Sequence, residues 1–247
     1  MWTADALSSE ARVYRGSVWR VVEAQHRVST MRISETLAEQ ALIEALVEET
    51  KPLVPEAARS LHFLLATPFR YRPSPYGSRF RRAGQREGVF YAAEHVETAL
   101  AEVAFYRFLI SRDAPDAVPP RHAIELTAFS VACASERSLD LTAPRLVADR
   151  ARWTAMDDYG ACHALADEAR KAAVGIIRYE SVRDRLDRAN VAILEPAAFV
   201  ETAPQTFESW SMLPSAASIR LWREFPSNTR YEFTRDDFTA DPRLTPR

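Results

Sequence analysis

Apolar positions along the chain fall into short runs whose period alternates between that of a strand and that of a helix. Residues 14–22 contain Val18, Trp19, Val21 and Val22, good β formers that predict a strand. Ser34 has the side chain of a helix N-cap. Leu37, Leu42 and Leu46 then recur at helical spacing among Glu35, Glu39 and Glu49, until Lys51-Pro52 ends the run. A second helix is predicted over 55–65, stopped by Thr67-Pro68. Val89-Phe90-Tyr91-Ala92 reads as a short buried strand, and 95–110 as a helix with Leu100, Val103, Ala104 and Arg107 at turn spacing. A linker with three prolines follows at 111–121. Residues 122–132 alternate as a strand does, and Leu139-Asp140-Leu141 continues the sheet. The alanine-rich stretch 161–173 predicts a helix with Gly175 as its stop. Further strands are predicted at 175–177, 190–194, 218–225 and 230–233. Internal repeats, heptad seams and a regular βαβ rhythm are absent from this sequence. The expectation is one α+β domain with a mixed β-sheet and surrounding helices.

At 247 residues the chain can bury a core without staples. Its 47% hydrophobic and 27% charged residues are those of a globular protein. No run reaches the ~18 uninterrupted apolar residues of a membrane span. Asp5 and Glu10 stand where a signal peptide would be apolar, so a cytoplasmic protein without membrane association is expected. Cys133 and Cys162 form no CxxC pair, so neither a disulfide framework nor a structural metal is expected. A net charge of −2 argues against a coat for nucleic acid. Lys51 and Lys171 are the only lysines; the remaining cations are arginines, whose planar fork suits phosphates and carboxylates.

Composition changes sharply at 68–88, where three of the six glycines and several prolines fall among Arg70, Arg72, Arg79, Arg81, Arg82 and Arg86. Such a segment is a loop. It is either a solvated surface loop or an anion site, in which glycine admits a close ligand and arginine grips a phosphate. No GxGxxG or Walker pattern accompanies it, so side chains would hold any nucleotide. Glu102 lies in an apolar helical run. It is either an exposed helix glutamate, touching Tyr106 one turn on, or a pocket carboxylate that stabilises positive charge. His26, His62, His95, His122 and His163 show no ligand spacing. Ser17, Ser78 and Ser181 lack a nucleophile elbow, and Cys162 reads as a small packed residue despite the adjacent His163. Trp210, Trp222 and Phe225 read as C-terminal core.

Taken together, these segments resemble the RES-domain family of bacterial toxins. Trp19-Arg20-Val21-Val22 resembles the family's opening strand, and Gly77-Ser78-Arg79-Phe80 takes the place of its Gly-Gly-Arg-Trp. Gly88-Val89-Phe90-Tyr91-Ala92-Ala93 and Thr98-Ala99-Leu100-Ala101-Glu102-Val103 resemble the next strand and the helix bearing the family glutamate. Leu139-Asp140-Leu141-Thr142, Tyr159-Gly160-Ala161-Cys162 and the run from Gly175 to Ser181 resemble the approach to its serine, and Asn190 to Pro196 its closing strand. Ser78, Phe80 and Arg81 depart from the arginine motif, and Glu180 replaces the usual proline before the serine. On this basis one domain fills 1–247, with a core at 18–196, a helical insertion at about 34–65 and a C-terminal extension at 197–247.

The resemblance implies a fold similar to ADP-ribosyltransferases of the diphtheria-toxin type, and an enzyme for which NAD+ is the substrate rather than a cofactor. It implies cleavage of the nicotinamide–ribose bond by hydrolysis or phosphorolysis, or transfer of ADP-ribose to a protein. Glu102, Arg79 and Tyr91 are the implied catalytic residues. Arg20, Arg79, Tyr91 and Ser181 would bind NAD+, with Arg70 and Tyr71 as further candidates. In this scheme Tyr91 offers a free hydroxyl and Ser181 completes the polar wall. No metal is required. The implied partner is a small antitoxin with a helix-turn-helix region, beside a possible homodimer, without direct contact to nucleic acid. A non-catalytic binding module for nucleic acid or protein is the alternative of a different class. Strong, salt-dependent binding of DNA or RNA with NAD+ left intact would favour it.

Overall fold

A computed structural model describes residues 2–24, 35–70, 75–114, 120, 122–225 and 229–244. Eight strands form one mixed sheet, a single α+β architecture, in the order β1-β2-β5-β4-β3-β6-β7-β8. They are β1 (Arg12–Glu23), β2 (Phe90–Ala93), β3 (Ile124–Asp140), β4 (Ile176–Glu180), β5 (Ala189–Ile193), β6 (Thr206–Pro214), β7 (Ser218–Arg223) and β8 (Arg230–Thr234). The helices are α1 (Ala4–Glu10), α2 (Leu37–Thr50), α3 (Phe63–Ala66), α4 (Val96–Asp113), α5 (Arg150–Trp153) and α6 (Gly160–Lys171).

The two pieces predicted at 122–132 and 139–141 are one strand, β3, because three partners saturate it in turn. It pairs antiparallel with β1 from Leu126↔Glu23 to Ser138↔Arg12, and with β6 from Ile124↔Met212 to Ser130↔Thr206. Its last residues, Ser138 to Asp140, pair in parallel with β4. Residues 206–214, for which no element is predicted, form β6. The strand β1 also meets β2, at the single register pair Trp19↔Ala93. The sheet therefore curls back on itself, and β1 and β2 part on either side of that pair.

Several expectations are corrected. The helix predicted at 55–65 is one 3-10 turn, Glu56–Ala58, and the start of α3, with a second 3-10 turn, Thr67–Phe69, after it, because the His62 backbone N–H bonds Thr202 O at 2.6 Å instead of a preceding turn. Thr36 caps α2 in a capping box with Glu39; Ser34 lies outside the described residues. The apolar spacing of α2 is real, but Leu37, Leu42 and Leu46 face outward and only Gln40 is buried. The predicted linker begins inside α4, which runs to Asp113, and most of its remainder lies outside the described residues. Ala173, at φ 54°, is the left-handed residue after α6. Gly175 serves instead for close packing, since a Cβ there would sit 2.9 Å from Ser135 Oγ. Trp210 is buried, Trp222 half-buried, and Phe225 is 83% exposed because the chain leaves the sheet after β7.

Among the described residues no helix is long and apolar enough to cross a membrane. Phe233, Phe238 and Leu244 of the C-terminal segment are buried in the cluster that holds Phe105 and Phe108 of α4. The far end of the chain is thereby packed onto the helix that carries Glu102.

Candidate active site

Where β1 and β2 diverge, the sheet and α4 enclose a cleft of about 370 Å³, toward the lower end of the range for small-ligand sites. Arg20 from β1, Arg79 from the loop before β2, Tyr91 from β2 and Glu102 from α4 all line it. Residues 82 positions apart in sequence thus share one wall system, from Arg20 to Glu102.

Of the arginines in the loop, Arg79 enters the cleft, at 8% exposure. Arg70 turns away, donating to Glu48 at 2.6 Å and to Pro52 O, while Arg82 pairs with Asp167 at 2.8 Å. Arg86 is exposed, and Tyr71 and Arg72 lie outside the described residues. Much of the loop is therefore solvated, and it lines the cleft at Ser78 and Arg79. Phe80 explains that inward turn: it is fully buried and packs edge-on against Tyr179 with ring centroids 4.9 Å apart. Gly88 lets the loop close, since a Cβ there would lie 2.2 Å from Pro68 O.

The Arg79 guanidinium has no carboxylate within ion-pair distance among the described residues. Its Nη1 donates to Trp153 O, and its charge lies 4.8 Å from the Tyr159 ring centroid and 5.9 Å from that of Tyr179. Nε and Nη2 make no hydrogen bond among the described residues. A buried cation lacking a counter-charge is costly, and an anion entering the cleft would offset that cost. Arg20 is engaged differently: its Nη1 donates to Tyr91 O at 2.7 Å, and its guanidinium covers the Phe90 ring.

Tyr91 departs from expectation. Its hydroxyl is not free: it accepts the Phe80 N–H at 2.9 Å and shares a hydrogen bond with Ser78 Oγ at 2.9 Å. Burial holds the phenol above its ordinary pKa, so it stays protonated. The residue pins the chain on both sides of Arg79.

Glu102 is half-buried, with Oε1 accepting from Ser181 Oγ at 2.9 Å and from Asn190 Nδ2 at 2.8 Å. Oε2 has no hydrogen bond among the described residues. The carboxylate is therefore oriented through one oxygen. One turn earlier on the same helix face, the buried Thr98 donates to Asp184, and Arg188 pairs with Glu97 at 2.7 Å, so the segment after β4 is tied three times to α4. Ser181 is fully buried and does not line the cleft, which corrects the expectation of a wall residue. It reaches the site through Glu102.

Sequence reasoning passed over Asn190, Tyr159, Tyr179 and Arg183 as site residues, all of which line the cleft. Asn190 had a signal, being the one polar side chain in a strand otherwise of apolar residues. The tyrosines had none, because a tyrosine lining a site and one packed in a core look alike in sequence. Burial raises the Tyr179 phenol well above its ordinary value. Cys162 is packed as expected, with its Sγ 4.0 Å from Arg79 Nη1.

None of the curated proteins compared with the chain matches it. A chain in the crystal structure of the M. tuberculosis MbcT–MbcA toxin–antitoxin complex is similar at TM-score 0.48 and 11% identity, covering 83% of this chain and 89% of that one. The RES-domain family model matches residues 53–213, which include Arg79, Tyr91, Glu102, Ser181 and Asn190. The chain belongs to the RES-domain family.

Proposed function

We propose that this protein is a toxin-type enzyme that cleaves the nicotinamide–ribose bond of NAD+ and is neutralised by a small antitoxin. The observation that carries this reading is the pairing, in one cleft, of a buried arginine without a counter-charge among the described residues and a carboxylate oriented through a single oxygen. The two groups match the two charges of the substrate, a diphosphate and a pyridinium.

In the reaction the bond between ribose C1′ and the pyridinium nitrogen breaks, and its electron pair neutralises the ring. No general acid is needed for so good a leaving group. Positive charge develops on the ribose, as in glycoside cleavage. Glu102 Oε2 would stabilise that charge or hold a ribose hydroxyl, while Ser181 and Asn190 keep the carboxylate in place. Arg79, assisted by Arg20, would hold the diphosphate through charge-assisted bonds. Tyr91 would present its ring to the nicotinamide–ribose half while its hydroxyl fixes the arginine loop. Water or phosphate then bonds C1′ and releases its proton.

Transfer of ADP-ribose to a protein acceptor would use the same cleft. Incubating the purified protein with NAD+, with and without phosphate, and identifying the products tests the proposal. Free nicotinamide with ADP-ribose or its 1″-phosphate is the expected result. An ADP-ribosyl adduct on protein would favour transfer, and intact NAD+ would overturn the proposal. Co-purification with a small protein that abolishes NAD+ loss would support the antitoxin.

A further inference from the structure

Asp241 is 1% exposed and lies beyond residue 213, where the family match ends. Two arginines converge on it. Arg183 Nη2 donates to Oδ2 at 2.7 Å, and Arg243 donates through Nε to Oδ1 at 3.0 Å and through Nη2 to Oδ2 at 2.8 Å. Each arginine leads to a different side of the cleft. The Arg183 backbone N–H bonds Ser181 Oγ at 3.2 Å, and Ser181 in turn donates to Glu102. Arg243 Nη2 bonds the Tyr159 hydroxyl at 3.2 Å, and the Tyr159 ring lies under Arg79. The Phe105 ring is sandwiched into the same assembly, 3.9 Å from the Arg183 charge and 5.0 Å from that of Arg243.

We propose that the C-terminal segment is part of the active-site machinery: Asp241, through Arg183 and Arg243, positions both the Glu102 carboxylate and the Arg79 guanidinium. The proposal rests on the reading of the cleft as an NAD+ site. Its physical basis is that Arg79 has no carboxylate to hold it among the described residues, so its direction depends on the Trp153 carbonyl and on the rings it lies on. Tyr159 can turn unless its hydroxyl is fixed, and among the described residues Arg243 fixes it. Arg243 is in turn held by Asp241, and by Arg112, which donates to the Arg243 carbonyl. A merely structural C-terminal segment would need Phe233, Phe238 and Leu244 in the core, but not an arginine reaching the tyrosine beneath Arg79.

The test uses the full chain and ADP-ribose, which carries the diphosphate and is not consumed. Calorimetry would compare wild type with Arg79→Ala, Arg243→Gln, Tyr159→Phe and the Arg243→Gln/Tyr159→Phe double variant. Arg79→Ala should abolish measurable binding. Arg243→Gln and Tyr159→Phe should each weaken it about 5- to 20-fold, and the double variant should be no worse than the poorer single one, because both remove the same bond. With NAD+, Arg243→Gln should raise KM more than it lowers kcat, a split that loss of stability alone does not produce. Asp241→Asn should impair both parameters. If it fails to fold, Arg243→Gln still decides the outcome, since its side chain is 27% exposed. Loss of binding in Arg79→Ala with none in Arg243→Gln or Tyr159→Phe would overturn this proposal and leave the NAD+ reading standing. Multiplicative losses in the double variant would do the same. Absence of ADP-ribose binding by the wild type would overturn both.

Discussion

The backbone N–H of Phe80 donates to the Tyr91 hydroxyl at 2.9 Å, joining β2 to the residue that follows Arg79. With the Ser78 bond to the same oxygen, it defines how far the arginine loop can move. Replacing Tyr91 by Phe keeps the ring but leaves the Phe80 amide without its partner. The expected outcome is a loss of about 1–2 kcal/mol in stability, with KM for NAD+ rising as the loop loosens. Urea unfolding and steady-state kinetics on the same preparation check both. Unchanged KM would show that the hydroxyl does not hold the loop for binding.

Glu102→Gln preserves shape, and its amide oxygen can still accept from Ser181 and Asn190. The charge is lost where Oε2 stood. NAD+ turnover should fall by roughly 100-fold or more, with the melting temperature close to wild type. Turnover within a few-fold of wild type would remove Glu102 from the chemistry.

Ser181→Ala and Asn190→Ala each take one donor from the same carboxylate oxygen. Each should lower kcat about 10-fold. Because both act on one atom, the double variant should deviate from the product of the single effects. A simple product would mean that the two donors do not cooperate in orienting the carboxylate.

Cys133 and Cys162 are both buried free thiols. Burial pushes the Cys133 thiol from an ordinary value near 9 up to about 12, and raises that of Cys162. The unfolded chain therefore loses these protons first, and stability must fall as pH rises above 9 toward 12. Native protein at pH 8 should resist iodoacetamide and react at both cysteines only in denaturant, as mass spectrometry of alkylated peptides would show. Rapid labelling of native protein would contradict the packing described for these residues.

Asp241 titrates in the opposite sense. Burial alone would raise its pKa, but bonds from Arg243 and the charges of Arg183 and Arg243 hold it below the ordinary value of 3.8. Its stabilising contribution is present above that value and is lost as pH falls through the lower folded one. Urea midpoints for wild type should drop below pH 4, and Asp241→Asn should flatten that decline. An identical acid profile in the variant would mean that Asp241 contributes nothing to it.

Much of the fold was legible in the sequence because strand and helix periods are local. β1, β2, α4, α6 and the five-residue strands β4 and β5 all lie close to where apolar spacing places them. The turns at 55–69 were not legible, since the His62 amide chooses a partner 140 positions away at Thr202. Nor was the exposure of Phe225, which depends on where the sheet ends.

By itself the sequence determined the residue types and the order in which guanidinium, phenol and carboxylate groups occur, from Arg20 through Arg79 and Tyr91 to Glu102. Tertiary structure alone decided which of the loop's arginines turns inward, that the Tyr91 hydroxyl is used to hold Arg79's neighbours, and that Ser181 acts from behind Glu102. It also decided that Asp241 and Arg243, far along the chain, are bonded to Arg183 and Tyr159, which line the cleft. Periodicity records which side of an element is buried. Which groups meet there depends on partners brought together by long-range packing, and those partners leave no local pattern.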